Sequence, residues 1–284
     1  MARKKLLLIF GTSTLIAVIY WLAVIGFWIR VGQEPWWDQR VTFRPTLHHL
    51  NDVYAVPLFR NPPWLAVLIA PFSMMPLHLS VLIQLILFFA ILTMLTYRFG
   101  GNLFHVLLVL GSPIALDAVF EFNIEWIVAI GLCIPAIYSG PFLMIKPQVA
   151  LGYWFSFRPR TVILASLIAL IVVVITIPFY GLWPLDMVNG ARHSGLDQSI
   201  WNVAPSFLLG WPLALAIGIV LAARAFLRKD PFTGIIAGLF FVPYVTLYSL
   251  IIPWVFVAIR HPWLALEFNV VVWLLYGAAM ITYL

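Results

Sequence analysis

The chain has 284 residues, of which 64% are hydrophobic and 9% are charged, and its formal net charge is +6. Soluble domains carry about 25% charged residues, so this composition excludes a water-soluble single domain, a disordered chain and a nucleic-acid-binding protein. The single cysteine, Cys133, argues against a disulfide framework and a cysteine metal site. We therefore expect an all-α, polytopic transmembrane protein, with residues 1–284 forming one integral domain in the cell (inner or plasma) membrane.

Apolar runs of the length needed to cross a bilayer, about 20 residues, recur along the whole chain. Because Arg3-Lys4-Lys5 precedes the first run, the positive-inside rule predicts a cytoplasmic N-terminus. Alternation from there places residues 120–124 in a cytoplasmic turn and Arg260 on the outer face. We predict about ten spans, with eight or nine as alternatives: 6–29, 62–77, 79–97, 103–119, 123–139, 142–157, 161–181, 204–227, 233–259 and 262–284.

Two polar segments, residues 30–61 and 182–203, are long enough to carry chemistry, and this arrangement places both on the outer face. In the first, Pro45 followed by Thr-Leu-His-His-Leu predicts a short helix lying in the membrane interface. A carboxylate there, flanked by arginines and aromatic residues, is a candidate general base. Asp38 is the first candidate and Asp52 the second. The alternative is a solvated acid paired with Arg40.

The cations predicted on the outer face are all arginines, whose planar fork binds phosphate oxygens two at a time. Interfacial snorkelling is the alternative for each of them. In the second segment Arg192-His193 is a further candidate for binding a phosphate or diphosphate, and a solvated loop is its alternative. Candidate phosphate ligands are thus Arg40, Arg44, Arg60, Arg192 and His193.

Lys146 stands inside an apolar stretch, about 12 residues or about 18 Å of helix before Arg158. A cation at membrane depth marks a functional site by default, so Lys146 is a candidate phosphate ligand in a substrate cavity. The alternative is a buried ion pair with Glu121 or Glu125. Asp117 and Glu121 share one helix face and could instead belong to a proton or ion path.

The order of these motifs resembles the polytopic GT-C glycosyltransferases, in particular glycosyltransferase family 87. The matching pieces follow one another as Asp38, Tyr54, Asn61-Pro62-Pro63-Trp64, Lys146-Pro147-Gln148 and Arg158-Pro159-Arg160. The resemblance implies a GT-C-like fold and a donor sugar carried on a polyprenyl phosphate. It also implies that Asp38 is catalytic, that Lys146 and Gln148 bind the substrate, and that Tyr54 and Asn61 to Trp64 form a structural motif. The turn at residues 122–125 departs from the family's pattern.

These features predict an inverting membrane glycosyltransferase that transfers a sugar from a polyprenyl phosphate to an acceptor hydroxyl at the outer leaflet. The membrane lipid and the donor are its expected partners, with no nucleic acid. We assign no metal ligand and no certain cofactor, although the scheme is compatible with a divalent cation. The alternatives are a non-catalytic subunit of a larger membrane complex, whose partners would be other membrane subunits, and a lipid or ion transporter.

Overall fold

The structure is a computed structural model, and it describes residues 3–32, 34–192 and 202–283. Over these residues every regular element is helical and none is a strand, which confirms the all-α prediction. His193 lies outside the described residues, as does the side chain of Arg192.

The described helices fall into long and short classes. The long ones are α1 (Arg3–Val31), α3 (Leu77–Arg98), α9 (Pro159–Tyr180), α12 (Trp211–Arg228) and α15 (Pro262–Tyr283). The short ones are α2 (Trp64–Ser73), α4 (Leu103–Leu110), α5 (Pro113–Glu121), α6 (Glu125–Cys133), α7 (Gly140–Leu143), α8 (Pro147–Ala150), α10 (Trp183–Arg192), α11 (Pro205–Leu209), α13 (Pro231–Leu239) and α14 (Ile251–Arg260). Single-turn π or 3-10 helices cover Gln39–Phe43, Arg44–His49, Val53–Ala55, Ala136–Tyr138, Leu151–Ser156 and Tyr248–Leu250.

Fewer helices could cross a membrane than the sequence predicts. Four are long and apolar enough among the described residues: Ile9–Val31, Leu77–Arg98, Pro159–Tyr180 and Trp211–Arg228. α4 and α5 form a fifth candidate, bent by 53° at their break. Most of the other predicted spans are divided into short helices. Within α15, residues Pro262–Tyr276 form an apolar helix that is shorter than a crossing. The prediction of about ten spans is therefore not confirmed.

Contacts between helix ends define two ends of the molecule, which we call the site end and the opposite end. At the opposite end, the Arg98 guanidinium donates to the carbonyl of Ile134 at 3.4 Å, and the ring of Phe99 lies 4.6 Å from that of Phe256. At the site end, the ring of Phe120 packs against those of Phe27 and Trp28, 5.4 and 6.0 Å away. The ring contacts of Phe120 therefore join the end of α5 to the end of α1.

These contacts show that the strict alternation of sides was wrong. Residues 120–124 lie at the site end, beside the loop after α1, and not at the opposite end. The reason lies in α2, whose 10 residues span only about 15 Å, too little for a crossing. It stays beside the first loop, where the Arg44 guanidinium donates to the carbonyl of Met75 at 2.7 Å. One crossing fewer reverses the sides of Arg98 and of residues 120–124, whereas Arg158 and Arg192 keep the sides that alternation gives them.

The predicted span 233–259 is also not one crossing. α13 begins and α14 ends at the opposite end, where Asp230 and Arg260 form an ion pair at 2.5 Å. Between them residues 240–250 reach the site end, so residues 231–260 form a re-entrant hairpin. The hairpin packs closely on the turn at Gly152, because a Cβ atom there would overlap the carbonyl oxygen of Gly234 and lie 2.8 Å from Cα of Gly238.

The lysines and arginines are distributed unevenly between the two ends of the molecule. Ten of the sixteen lysines and arginines stand at or beside the opposite end, five at the site end, and Lys146 lies between them. The opposite end carries Arg3, Lys4, Lys5, Arg98, Arg158, Arg160, Arg224, Arg228, Lys229 and Arg260. The site end carries Arg30, Arg40, Arg44, Arg60 and Arg192. The asymmetry is stronger than under strict alternation, because Arg98 and Arg260 change sides.

Site-directed labelling tests this arrangement in a Cys133→Ser background. We expect cysteines introduced as Lys229→Cys and His261→Cys to react with an impermeant maleimide from one side of sealed vesicles. Asp52→Cys should react only from the other side. Strict alternation would group His261→Cys with Asp52→Cys, and that grouping would contradict the re-entrant hairpin.

A glycine substitution tests the packing of the hairpin. Gly152→Ala should lower the melting temperature of the purified protein sharply, because forcing atoms into a packed interface costs about 1–3 kcal/mol or more. Gly11→Ala is the matched control, since nothing lies within 4 Å of the position of its Cβ atom. Equal melting temperatures for the two variants would rule out the close contact at Gly152.

Candidate functional site

The site is built around Asp38, in the loop that follows α1. Trp36 is fully buried against the ring of His78 at 5.4 Å, which turns the loop back toward the helices. The Asn123 amide then donates to the Asp38 carboxylate at 2.5 Å and to the Tyr248 hydroxyl at 3.2 Å. One amide therefore joins the first loop, the turn after α5 and the re-entrant hairpin.

The turn that presents Asn123 has an unusual backbone. Phe122 ends α5 in the left-handed region at φ 50°, a conformation that favours glycine and costs a bulky residue free energy. Its side chain is 1% exposed, so packing holds it there. A glycine would adopt this conformation without strain, but the residue here is phenylalanine. Strain kept at a turn that positions an amide is typical of functional sites.

Beneath Asp38 lies a buried ion pair between Lys146 and Glu125. The two residues are only 7% and 1% exposed. The Ser249 hydroxyl donates to the Glu125 carboxylate at 3.2 Å, and the Lys146 ammonium lies 4.6 Å from the centre of the Tyr248 ring. Of the two interpretations of Lys146, the structure shows the buried pair, and the partner is Glu125 rather than Glu121.

Tyr248 connects the two layers of the site. Its hydroxyl accepts from Asn123, its ring faces Lys146, and its backbone lies close to the carboxylate of Asp117. Sequence reasoning missed Tyr248 and Ser249, because they lie in the apolar run 233–259. The available signal was a polar stretch within that run, Thr246 to Ser249, bracketed by Pro243 and Pro253.

The surroundings of Asp38 make its carboxyl group a better proton acceptor than an exposed aspartate. The net effect raises the pKa of Asp38 to about 7: burial is the main cause, Lys146 opposes it, and the smaller effects are upward from Glu121 and Glu125 and downward from the Asn123 hydrogen bond. A carboxylate with a pKa near neutrality suits a general base, because it is partly ionised and basic at working pH.

A polar cavity of about 420 Å³ opens at the site end, between residues 54–60 and α10. Its lining includes Tyr54, Arg60, Asp186 and Asn189. Partial burial lowers the pKa of the Arg60 guanidinium. The Tyr244 phenol is close enough to interact electrostatically with both Arg60 and Asp38. Tyr244 therefore lies between the cation of the cavity and the carboxylate of the network.

The predicted structural motif holds the first loop against the segment before Lys146. The Tyr54 hydroxyl donates to the carbonyl of Asn61 at 3.0 Å, and the Asn61 amide donates to the carbonyl of Ile145 at 2.9 Å. The Trp64 indole donates to the carbonyl of Pro141 at 3.1 Å, and Pro62 and Pro63 between them are buried or nearly so. The motif thus fixes the residue that precedes Lys146.

Several predicted residues lie outside the network. Arg40 pairs with Glu34 at 2.6 Å and does not pair with Asp38. Arg44 donates to a backbone carbonyl of the chain after α2, and Asp52 is exposed at the start of a 3-10 turn. Gln148 is half-buried on the one-turn helix α8. The structure therefore joins Asp38 and Lys146 in one network and puts Arg60 on the cavity at the same end, while Asp52, Arg40 and Arg44 take other positions.

Among the described residues, no three histidine, cysteine, aspartate or glutamate side chains are placed to hold a metal ion. Comparison with protein-family models, with curated proteins and with solved structures yields no match to this chain. The resemblance to glycosyltransferase family 87 therefore stays a prediction, and the function rests on the geometry of the site.

The raised pKa of Asp38 predicts an unusual pH dependence of stability. An unfolded aspartate has a pKa of about 3.9, so between about pH 4 and pH 7 the folded state binds the proton more tightly. Asp38 ionisation should therefore reduce the free energy of unfolding as pH rises through this window. Asp38→Asn removes that titration while keeping an oxygen for Asn123.

We expect the melting temperature of the Asp38→Asn variant to exceed that of the wild type at pH 8, and the difference to shrink toward pH 5. Thermal unfolding in detergent at both pH values measures it. Asp52→Asn, at an exposed position, is the matched control and should show no such trend. A difference that does not change with pH would contradict the assignment of the raised pKa.

Proposed function

We propose that this chain is a membrane glycosyltransferase that transfers a sugar from a polyprenyl phosphate to an acceptor hydroxyl. The observation that carries the proposal is the Asp38 carboxylate, held by Asn123 above a buried ion pair, with Arg60 on a cavity at the same end of the molecule. A base and a phosphate-binding cation at one end of a membrane protein are what this reaction requires. No nucleotide-binding fold is needed when the leaving phosphate is already attached to a lipid.

In the proposed reaction Asp38 takes the proton of the acceptor hydroxyl as its oxygen attacks the anomeric carbon. The bond between that carbon and the phosphate oxygen breaks on the opposite side, so the configuration inverts. Arg60 stabilises the charge that builds on the leaving phosphate. Lys146 keeps its partner Glu125 and acts as a positioning residue, because its ring contact fixes Tyr248 and through it Asn123.

The orientation follows from the cations. The positive-inside rule places the end richer in lysine and arginine in the cytoplasm. Ten cations at the opposite end against five at the site end therefore support a cytoplasmic N-terminus and a site that faces the outer leaflet. A lipid-linked donor would then reach Asp38 from that leaflet.

A pair of matched variants tests the base. Asp38→Asn should reduce sugar transfer about 100-fold or more, the range in which general base catalysis operates, while Asp52→Asn keeps wild-type transfer. Transfer is measured in proteoliposomes with a panel of polyprenyl-phosphate hexoses and pentoses and an extracted lipid acceptor. Full transfer by Asp38→Asn, or a loss confined to Asp52→Asn, would refute the assignment.

The pH profile of the wild type gives a second readout. Because the base must be ionised, the rate should rise with pH and level off above about 7, the pKa of Asp38. A rate that is flat from pH 5 to pH 8 would show that no group with this pKa controls the reaction.

Proton or ion transport is the second candidate, and the broken helices favour it. α6 and α14 both begin at the polar network, and discontinuous helices with buried charges form the substrate sites of many transporters. Proteoliposomes with an internal pH-sensitive dye distinguish the two functions. A proton flux that Glu125→Gln abolishes, without any sugar transfer by the wild type, would support transport instead.

A further inference from the structure

A second cavity lies beside the polar one and is almost entirely apolar. It is a groove of about 320 Å³ between α2, α7 and α9. Its lining is Trp64, Val67, Leu68, Pro141, Phe142, Ile145, Val172, Thr176 and Tyr180. The Thr176 hydroxyl donates to backbone carbonyls of its own helix and accepts from the Trp183 indole, so the groove offers little to a polar ligand.

The groove opens sideways, toward the surface that a bilayer would cover. Val67 and Leu68 on its rim are 54% and 44% exposed. α9, which forms the far wall, has only a small buried fraction and is long enough to cross a membrane. Hydrocarbon from the surrounding lipid can therefore enter without crossing a polar barrier.

The groove and the polar cavity have no lining residue in common, but α10 brings them close together. Trp64 lines the groove, and its ring meets that of Trp183 edge to face at 5.4 Å, at the start of the helix that carries Asp186 and Asn189 into the polar cavity. Tyr180 also lines the groove and lies close to Tyr54 of the polar cavity. An apolar groove next to a polar cavity matches an amphiphile with a long chain.

The charges of the polar cavity indicate the headgroup. Arg60 offers a planar fork for phosphate oxygens, while the carboxylate of Asp186 and the amide of Asn189 suit a hydroxyl or amine. Both volumes lie at the small end of the range of about 300–1,000 Å³ that is typical of ligand pockets.

We infer that the groove between α2, α7 and α9 and the adjoining polar cavity form one binding site for a membrane lipid. The hydrocarbon chain lies along Val67 and Val172, and the phosphate of the headgroup binds Arg60. A glycerophospholipid and an isoprenoid phosphate share this chemistry. The inference places a lipid at named residues, and it holds whether or not the proposed sugar transfer occurs.

Photocrosslinking in nanodiscs of phosphatidylcholine tests the site. Three probes each carry a diazirine in the hydrocarbon chain: a phosphatidic acid, a polyprenyl phosphate and a neutral diacylglycerol. Mass spectrometry of the digested protein locates the labelled residues. We expect both phosphate-bearing probes to label the residues that line the groove. If phosphatidic acid labels them more strongly, the ligand is a glycerophospholipid, and if polyprenyl phosphate does, it is an isoprenoid phosphate.

Val172→Trp should fill the groove and reduce that labelling about tenfold. Ile171→Trp is the matched control, because the neighbouring Ile171 is 56% exposed and does not line the groove. Val67→Trp narrows the groove from the other wall at an exposed position, so it keeps the test open if Val172→Trp fails to fold. Arg60→Gln should weaken labelling by the phosphate probes about tenfold, the value of one charge-assisted hydrogen bond, and leave diacylglycerol unchanged.

Labelling spread evenly over the exposed faces of α9 and α12 would overturn the inference. Equal labelling of the Val172→Trp and Ile171→Trp variants would overturn it too, as would phosphate-probe labelling that Arg60→Gln does not change. These outcomes are separate from the fate of the proposed function, because the assay reads binding alone and needs no sugar donor. Sugar transfer measured on the same variants distinguishes a failed lipid site from a failed catalytic assignment.

Discussion

The buried ion pair between Lys146 and Glu125 constrains the rest of the site. Removing two charges from water costs several kcal/mol for each, and good geometry with further hydrogen bonds must offset that cost. Ser249 and the ring of Tyr248 supply these contacts, and both come from the tip of the re-entrant hairpin. The pair therefore requires the hairpin to reach the site end. Tyr248 then holds Asn123, and Asn123 holds Asp38.

The same hairpin explains the distribution of charge along the membrane axis. Because residues 231–260 enter and leave at one end, Asp230 meets Arg260, and the arginine joins the cluster at the opposite end. The site end keeps fewer cations, and Arg60 among them faces a cavity. Fold and electrostatics thus agree, because the end that carries the polar network is the end with fewer cations.

Local features of this protein could be predicted from sequence, and long-range ones could not. Composition is enough for an all-α membrane protein, and a carboxylate between arginines and tryptophans singles out Asp38. Lys146 stands out because a charge in an apolar run needs a partner. The re-entrant hairpin remains hidden, since an apolar run of 27 residues, 233–259, has the length of one crossing. Asn123 was seen as part of an altered motif, but its bond to Asp38 joins residues 85 apart, which no local pattern reveals.

A double-mutant cycle on the ion pair tests the account most directly. Melting temperatures are measured for Glu125→Gln, Lys146→Gln and the double variant in the same detergent. We predict that each single change destabilises strongly, by about 3–5 kcal/mol, because it leaves one buried charge without a partner. The double variant should recover much of that loss, which gives a large coupling energy. Additive effects would show that the two charges do not meet, and would contradict the arrangement on which the site depends.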